Sequence, residues 1–172
     1  YVFDDSDCVN EDGSIDYKKK GTNHIILLAA TQEGLKNIYK MVSMSHIEYF
    51  YRKPRLPKSV ISKYRDGVII GSACEAGEVY RAVSNNLSDA ELDEIASFYD
   101  YLEIQPLINN QFMIEKRMVE SREDLRNFNR RVLECGRRLG KMVVATTDAH
   151  YDEPESAIFR NIIMAGMGYK DA

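Results

Sequence analysis

Apolar residues in this chain fall into short unbroken runs, and between the runs they recur at every third or fourth position. Ile25 to Ala30 is such a run, too brief for a helix; Thr31 then stands as an N-cap, with Leu35, Ile38, Tyr39 and Val42 following at helical spacing. This predicts a strand followed by a helix. Pro57 opens a short helix, Asp66-Gly67 turns the chain, and Val68 to Ala73 reads as a second buried strand that ends at Cys74. A helix over about Ala76 to Val83 comes next. Ser88 and Glu91 have the spacing of a capping box, and Leu92, Ile95, Ala96 and Tyr99 supply the apolar stripe of a helix ending near Tyr99. Tyr101 to Gln105 is a third strand, stopped by Pro106. Leu107 to Val119 is irregular or partly helical, because its Asn pair and Gln break the apolar pattern. From Ser121 to Leu139 the residues Leu125, Phe128, Val132, Cys135 and Leu139 mark one face of a long amphipathic helix, with Gly140 at its C-cap. Met142 to Thr146 is a fourth apolar strand, and Pro154 begins a last helix through Ile163. Asp4 to Thr22 is polar and turn-rich, a loop or short hairpin.

Strands without polar alternation, separated by helices, point to an α/β fold: a parallel sheet covered by helices, either a piece of an α/β barrel or an open doubly wound sheet. In both, ligands bind at the C-terminal ends of the strands. The 172 residues suit a single domain over 1–172, with 1–22 as a linker-like start. A first residue other than Met, on what reads as the end of a strand, predicts a segment of a longer protein. The net charge of −4 gives no positive field for a polyanion, so any DNA contact has to be local. Cys8, Cys74 and Cys135 are far apart with no C-x-x-C pair, which argues against a disulfide scaffold or zinc ribbon and for a reduced, cytoplasmic compartment. No apolar run is long enough for a membrane span.

Asp148 and His150 stand two residues apart in an extended segment, so their side chains project to one side, as two ligands of one cation must. Taken by itself this D-x-H is equally an Asp capping the next helix beside a surface His. Cys74 holds the analogous position after another strand, where a thiolate could reach the same mouth, although a lone Cys in an apolar run is ordinarily core. His24 precedes its strand, and in a parallel sheet that is the wrong end; spacing does not nominate it. His46 reads as a packing or capping residue, Cys135 as core, and Cys8 as a loop residue with no partner nearby. Tyr49 to Lys58 mixes three aromatics with four basic residues, as single-strand binding surfaces do, or is a solvated loop over buried aromatics. No phosphate-binding glycine loop occurs.

Several segments together resemble the PHP domain of bacterial DNA polymerase III alpha subunits: Asn23 to Ala30, Gly34 to Lys40 with Tyr49 to Arg55, Gly67 to Glu78, and Ala145 to Tyr151. Phe98 to Pro106 and Ala165 to Ala172 resemble the PolC type in particular. The resemblance covers about His24 to the C-terminus. It implies a distorted, TIM-like β/α barrel holding a cluster of divalent metal ions, zinc or manganese, with His24, Cys74, Asp148 and His150 matching the last four ligand positions. The family's earlier ligands, an H-x-H pair among them, have no counterpart here. The resemblance further implies a DNA-directed DNA polymerase (a nucleotidyltransferase of DNA replication) as parent. Its partners would be the rest of the alpha subunit, DNA through the parent, and other replisome subunits. Two functions follow: a metal-dependent phosphoesterase or 3′→5′ exonuclease site, or a structural domain bracing the polymerase core. Lacking the first strands and their ligands, the chain alone is expected to bind metal poorly, to be hydrolytically inactive, and to leave an open edge that a homodimer or an exchange of elements between copies could cover.

Overall fold

A computed structural model describes residues 1–10, 12–18 and 21–168. In chain order the elements are β1 (Val2–Phe3), β2 (Ile26–Ala29), α1 (Gln32–Ile47), β3 (Leu56–Pro57), α2 (Lys58–Lys63), β4 (Val68–Gly71), α3 (Glu78–Ser84) and α4 (Asp89–Ser97). Then come β5 (Tyr101–Ile104), α5 (Gln111–Glu115), α6 (Arg122–Leu139), β6 (Met142–Ala145) and α7 (Ala157–Gly166). The closing Tyr169 to Ala172, part of one PolC-like stretch, lie outside the described residues.

The main sheet has the order β2-β4-β5-β6, and β1 and β3 form a separate parallel pair. β4, β5 and β6 are parallel, as the pattern predicts for strands joined through helices. β2 departs from that expectation: it runs antiparallel to β4, with Ile26 opposite Gly71 and Ala29 opposite Val68. The reason lies in the connection. The chain leaves β2 along α1 and returns along the segment carrying α2, an out-and-back path that delivers β4 beside the end of β2, where the Ala30 N–H donates to Gly67 O. An apolar run carries no information about its direction.

Helices cover one face of this sheet. Ile70 and Leu102 from the strands pack with Met41 of α1, Val83 of α3, Leu92 of α4, and Val132 and Cys135 of α6 in one core. The opposite face is open among the described residues, with Leu28 and Met142 47% and 69% exposed, and the sheet does not close into a barrel. Strands apolar on both faces therefore do not mean helices on both faces here. No helix among the described residues is long and apolar enough to cross a membrane.

The helix ends form as their sequences direct. Ser88 and Ser121 complete capping boxes with Glu91 and Asp124, and Gly140 closes α6 in left-handed conformation at φ 61°. Thr31 accepts the Gly34 N–H at 3.0 Å to cap α1, but the face that α1 buries is Gly34, Asn37, Met41 and Ser45, not the stripe through Tyr39 and Val42, which is exposed. Small residues decide this: a Cβ on Gly34 would lie 1.8 Å from Gly67 O, so α1 sits directly on the turn before β4. Leu107 to Val119 resolves into a 3-10 turn over Leu107–Asn110 and α5, whose Met113 is buried with Tyr80 and Leu125.

Described residues near the start of the chain bond to one another and to the body of the fold. Val9 bridges Ile15 in a short antiparallel pairing, and Cys8 is buried with its Sγ 3.7 Å from Asp4 O, contrary to its reading as an unpartnered loop residue. Arg55, also buried, donates to the carbonyls of Tyr49 and Tyr17. Lys58 joins Asp4 at 3.3 Å to Glu78 at 2.9 Å, and the buried Tyr99 hydroxyl donates to the same Glu78 carboxylate.

Candidate metal centre

Because β2 runs against its neighbours, its beginning lies where β4 ends. His24, set at the far end by a parallel reading, stands at the same mouth as Cys74 and Asp148. The His24 N–H donates to Ala76 O at 2.9 Å, and the turn from Cys74 to Gly77 closes with Gly77 N–H on Cys74 O at 2.8 Å. This turn requires Gly77, where a Cβ would meet Ser72 O at 2.1 Å. It wraps the thiol around the imidazole: Cys74 Sγ lies 3.4 Å from His24 Nδ1.

The strand ends that carry Cys74 and Asp148 both hold left-handed backbone at a residue with a side chain, Ala73 at φ 60° and Asp148 at φ 51°. Such conformations cost energy and persist where the surroundings impose them, often at functional sites. Here they lift Cys74 and Asp148 out of the strand alternation. The possible ligand atoms of Cys74, Glu75 and Asp148 all lie within 4.8 Å of one another. Sequence reasoning missed Glu75, since neighbours in an extended strand point to opposite sides; the break at Ala73 brings both residues to the mouth.

A cavity of about 330 Å³ opens at this point, lined by Tyr1, His24, Cys74, Glu103, Gln105 and Asp148 among others. Tyr1 stands edge-on to the His24 ring at 4.9 Å. Glu103 is buried and accepts the Thr146 hydroxyl at 2.9 Å. His150 does not line this cavity. It is exposed, with Nδ1 2.6 Å from Asp148 O. A carbonyl oxygen accepts only, so the contact is a hydrogen bond when Nδ1 carries a proton, and in the neutral ring that tautomer presents Nε2 to a ligand. His46 sits in the last turn of α1 with Nδ1 2.8 Å from Val42 O, stacked on Phe50. Cys135 is fully buried in the core.

Burial pushes the Cys74 thiol up to about 11, with Glu75 and Asp148 adding to it, so without a cation the sulfur keeps its proton. Burial also holds the His24 imidazole below its ordinary value, against the pull of Glu75, and Lys53 and Arg81 push the same way. Its lone pair is thus available at neutral pH. A thiol, a neutral imidazole and two carboxylates suit a borderline divalent ion such as zinc, and the carboxylates also suit manganese. The buried Gln105 Oε1 in the wall of the same cavity, without a hydrogen-bond partner among the described residues, agrees with a polar occupant.

The sequence profile of the PHP domain family matches residues 9–115. The chain belongs to the PHP domain family. The matched stretch includes His24 and Cys74 and stops before Asp148. Relatives extend the likeness: the chain is 57% identical over 159 residues to "DNA polymerase III PolC-type" of Clostridium perfringens, covering 92% of this chain and 11% of that protein. It is 50% identical over 158 residues to the protein of that name from Caldanaerobacter subterraneus, and 43% over 152 residues to that of Bacillus subtilis, covering 92% and 88% of this chain. The PHP chain therefore matches a segment of PolC-type DNA polymerase III, and it spans about a tenth of the length of these relatives.

Proposed function

We propose that this PHP segment contributes His24, Cys74, Asp148 and His150, with Glu75 beside them, to a divalent-metal phosphoesterase site of 3′→5′ exonuclease type within a replicative DNA polymerase. The observation that supports the reading is the convergence of His24, Cys74, Glu75 and Asp148 on one sheet end through two strained strand termini. A bound zinc or manganese ion would supply water activation and neutralisation of phosphate charge. In the protein, Cys74 gives up its proton when it ligates, His24 offers a neutral nitrogen, and Glu75 and Asp148 offset the cation's charge. Lys53 and Arg81 add positive charge near the same imidazole and would favour an anionic substrate at the rim. The polymerase chemistry belongs to the rest of the parent protein. The parent's other parts are the proposed partners, with DNA and other replisome subunits reached through them, in the cytoplasm. Residues 1–172 are proposed to form one domain.

A second reading, a structural domain that braces the polymerase core, is favoured by the uncovered apolar sheet face around Leu28, Ile69 and Met142. Elemental analysis of the complete PHP domain, followed by phosphatase and exonuclease assays with added manganese or zinc, separates the two. The phosphoesterase reading expects bound metal and a turnover that Asp148→Asn abolishes. A complete domain that binds metal yet never turns over substrate would establish the bracing role instead.

A further inference from the structure

Alternate residues of a strand share a side, so β5 and the residue after it place Tyr101, Glu103 and Gln105 on the open face of the sheet while Leu102 enters the core. This row climbs from the apolar middle of the sheet to the mouth where the metal ligands gather. Its two buried polar members differ. Glu103 is satisfied by the Thr146 hydroxyl. Gln105 is 6% exposed, and its backbone carbonyl accepts from Asn129 of α6 at 2.9 Å, which fixes the residue in place. Its side-chain Oε1 is nevertheless buried with no hydrogen-bond partner among the described residues, and the residue lines the cavity shared by His24, Cys74 and Asp148. Leaving a buried carbonyl oxygen unpaired is unfavourable, and a leucine of similar volume would avoid it. An amide oxygen accepts and cannot donate. Whatever satisfies it must bring an O–H or N–H into the cavity.

We infer that Gln105 is a positioning residue of the metal centre, its side-chain oxygen accepting a hydrogen bond from a water molecule held in the mouth beside Cys74, Glu75 and Asp148. The inference rests on the reading of that mouth as a cation site. Groups that act on a metal site through such hydrogen bonds change metal affinity by roughly 10- to 100-fold. The role also explains why the polar row of β5 continues past Glu103, which has a partner, to an acceptor that has none among the described residues.

The test is zinc affinity of the complete PHP domain, measured by competition with a chromophoric chelator, together with the thermal midpoint of the metal-free protein. The native domain is compared with Gln105→Leu, Gln105→Glu and Cys74→Ser. Cys74→Ser should weaken zinc binding. Gln105→Leu should weaken zinc binding about tenfold or more while leaving the metal-free midpoint unchanged or higher, since it removes an unpaired polar atom. Gln105→Glu keeps an acceptor oxygen at the same place and should restore the affinity or raise it. Native-like affinity in Gln105→Leu overturns the role of Gln105 and leaves the cation site standing. A lowered metal-free midpoint in that variant overturns it too, by showing that the amide has a partner inside the protein. A complete native domain that binds no zinc removes the cation site itself, and the inference with it.

Discussion

Ala73 and Asp148 hold backbone that side chains disfavour, and each such residue stores about 1–3 kcal/mol of strain, at φ 60° and 51° here. Glycine has no Cβ to strain there, although it loses more entropy on folding. Ala73→Gly is therefore expected to leave stability unchanged or to raise it by up to about 1 kcal/mol in urea unfolding. The same change at Ala96, buried in α4, should lower it by about 1 kcal/mol. Equal losses at the two positions would contradict the strain. At Cys74 the folded thiol titrates near 11, above its ordinary value of 9.0, because burial disfavours the thiolate. The sign follows from proton binding: between those values the native state holds the proton more tightly, so this contribution is complete below pH 9.0 and lost as pH rises toward about 11. Zinc held at the proposed site would displace the same proton, so zinc affinity is expected to rise as pH is raised from about 6 to 8, by up to tenfold per unit. Calorimetry in buffers of different ionisation enthalpy would show a proton released with each ion. An affinity that does not change over this range would mean that Cys74 is not a ligand.

At the scale of elements, the orientation of β2 decides the site, and the packing of α1 on the β4 turn sets that orientation. Gly34 and Gly67 meet backbone to backbone, and Asn37 Nδ2 donates to Asp66 O at 3.0 Å across the same contact. Gly34→Ala puts a methyl where there is no room and nothing flexible to yield. It should destabilise the chain by about 3 kcal/mol or more, read by denaturant unfolding, although alanine is the better helix former. A stabilised Gly34→Ala variant would refute this packing. Element positions were legible because their signals are local. Ser88, Ser121, Gly140 and Pro57 act within a turn of their own position, and the structure places them as caps. The buried side of α1 was not legible: close approach of two glycines outweighs the apolar stripe through Tyr39 and Val42, and only the fold shows which surface faces the turn.

For the whole molecule, charge and burial together limit what the chain can bind. The net charge is −4, and of the basic residues in the Tyr49–Lys58 segment Arg55 is buried against carbonyl groups and Lys58 is held by two carboxylates. Arg52 is exposed, and Lys53 lies over the Tyr1 ring at 3.8 Å. We expect only weak binding of single-stranded DNA, with a logarithmic salt slope of about 1.4 for two phosphate contacts. Arg52→Ala with Lys53→Ala should abolish it, as measured by fluorescence anisotropy. Tight binding at physiological salt would show a surface other than this segment. The apolar sheet face around Leu28, Ile69 and Met142 is a second surface suited to association.

Three things were determined by the sequence alone: the kind and order of the longer elements, their caps, and the residue types able to hold a cation at Cys74, Asp148 and His150. These depend on local periodicity and on side-chain chemistry, which the chain carries wherever it folds. Strand direction and side-chain convergence depend on long-range connection, and only the tertiary structure decided them. It turned β2 around, and so brought His24 to within 3.4 Å of Cys74. It broke the strand pattern at Ala73, which placed Glu75 with Cys74 and Asp148. It also left one face of the sheet uncovered among the described residues, because an apolar strand records that a face avoids water and not what covers it.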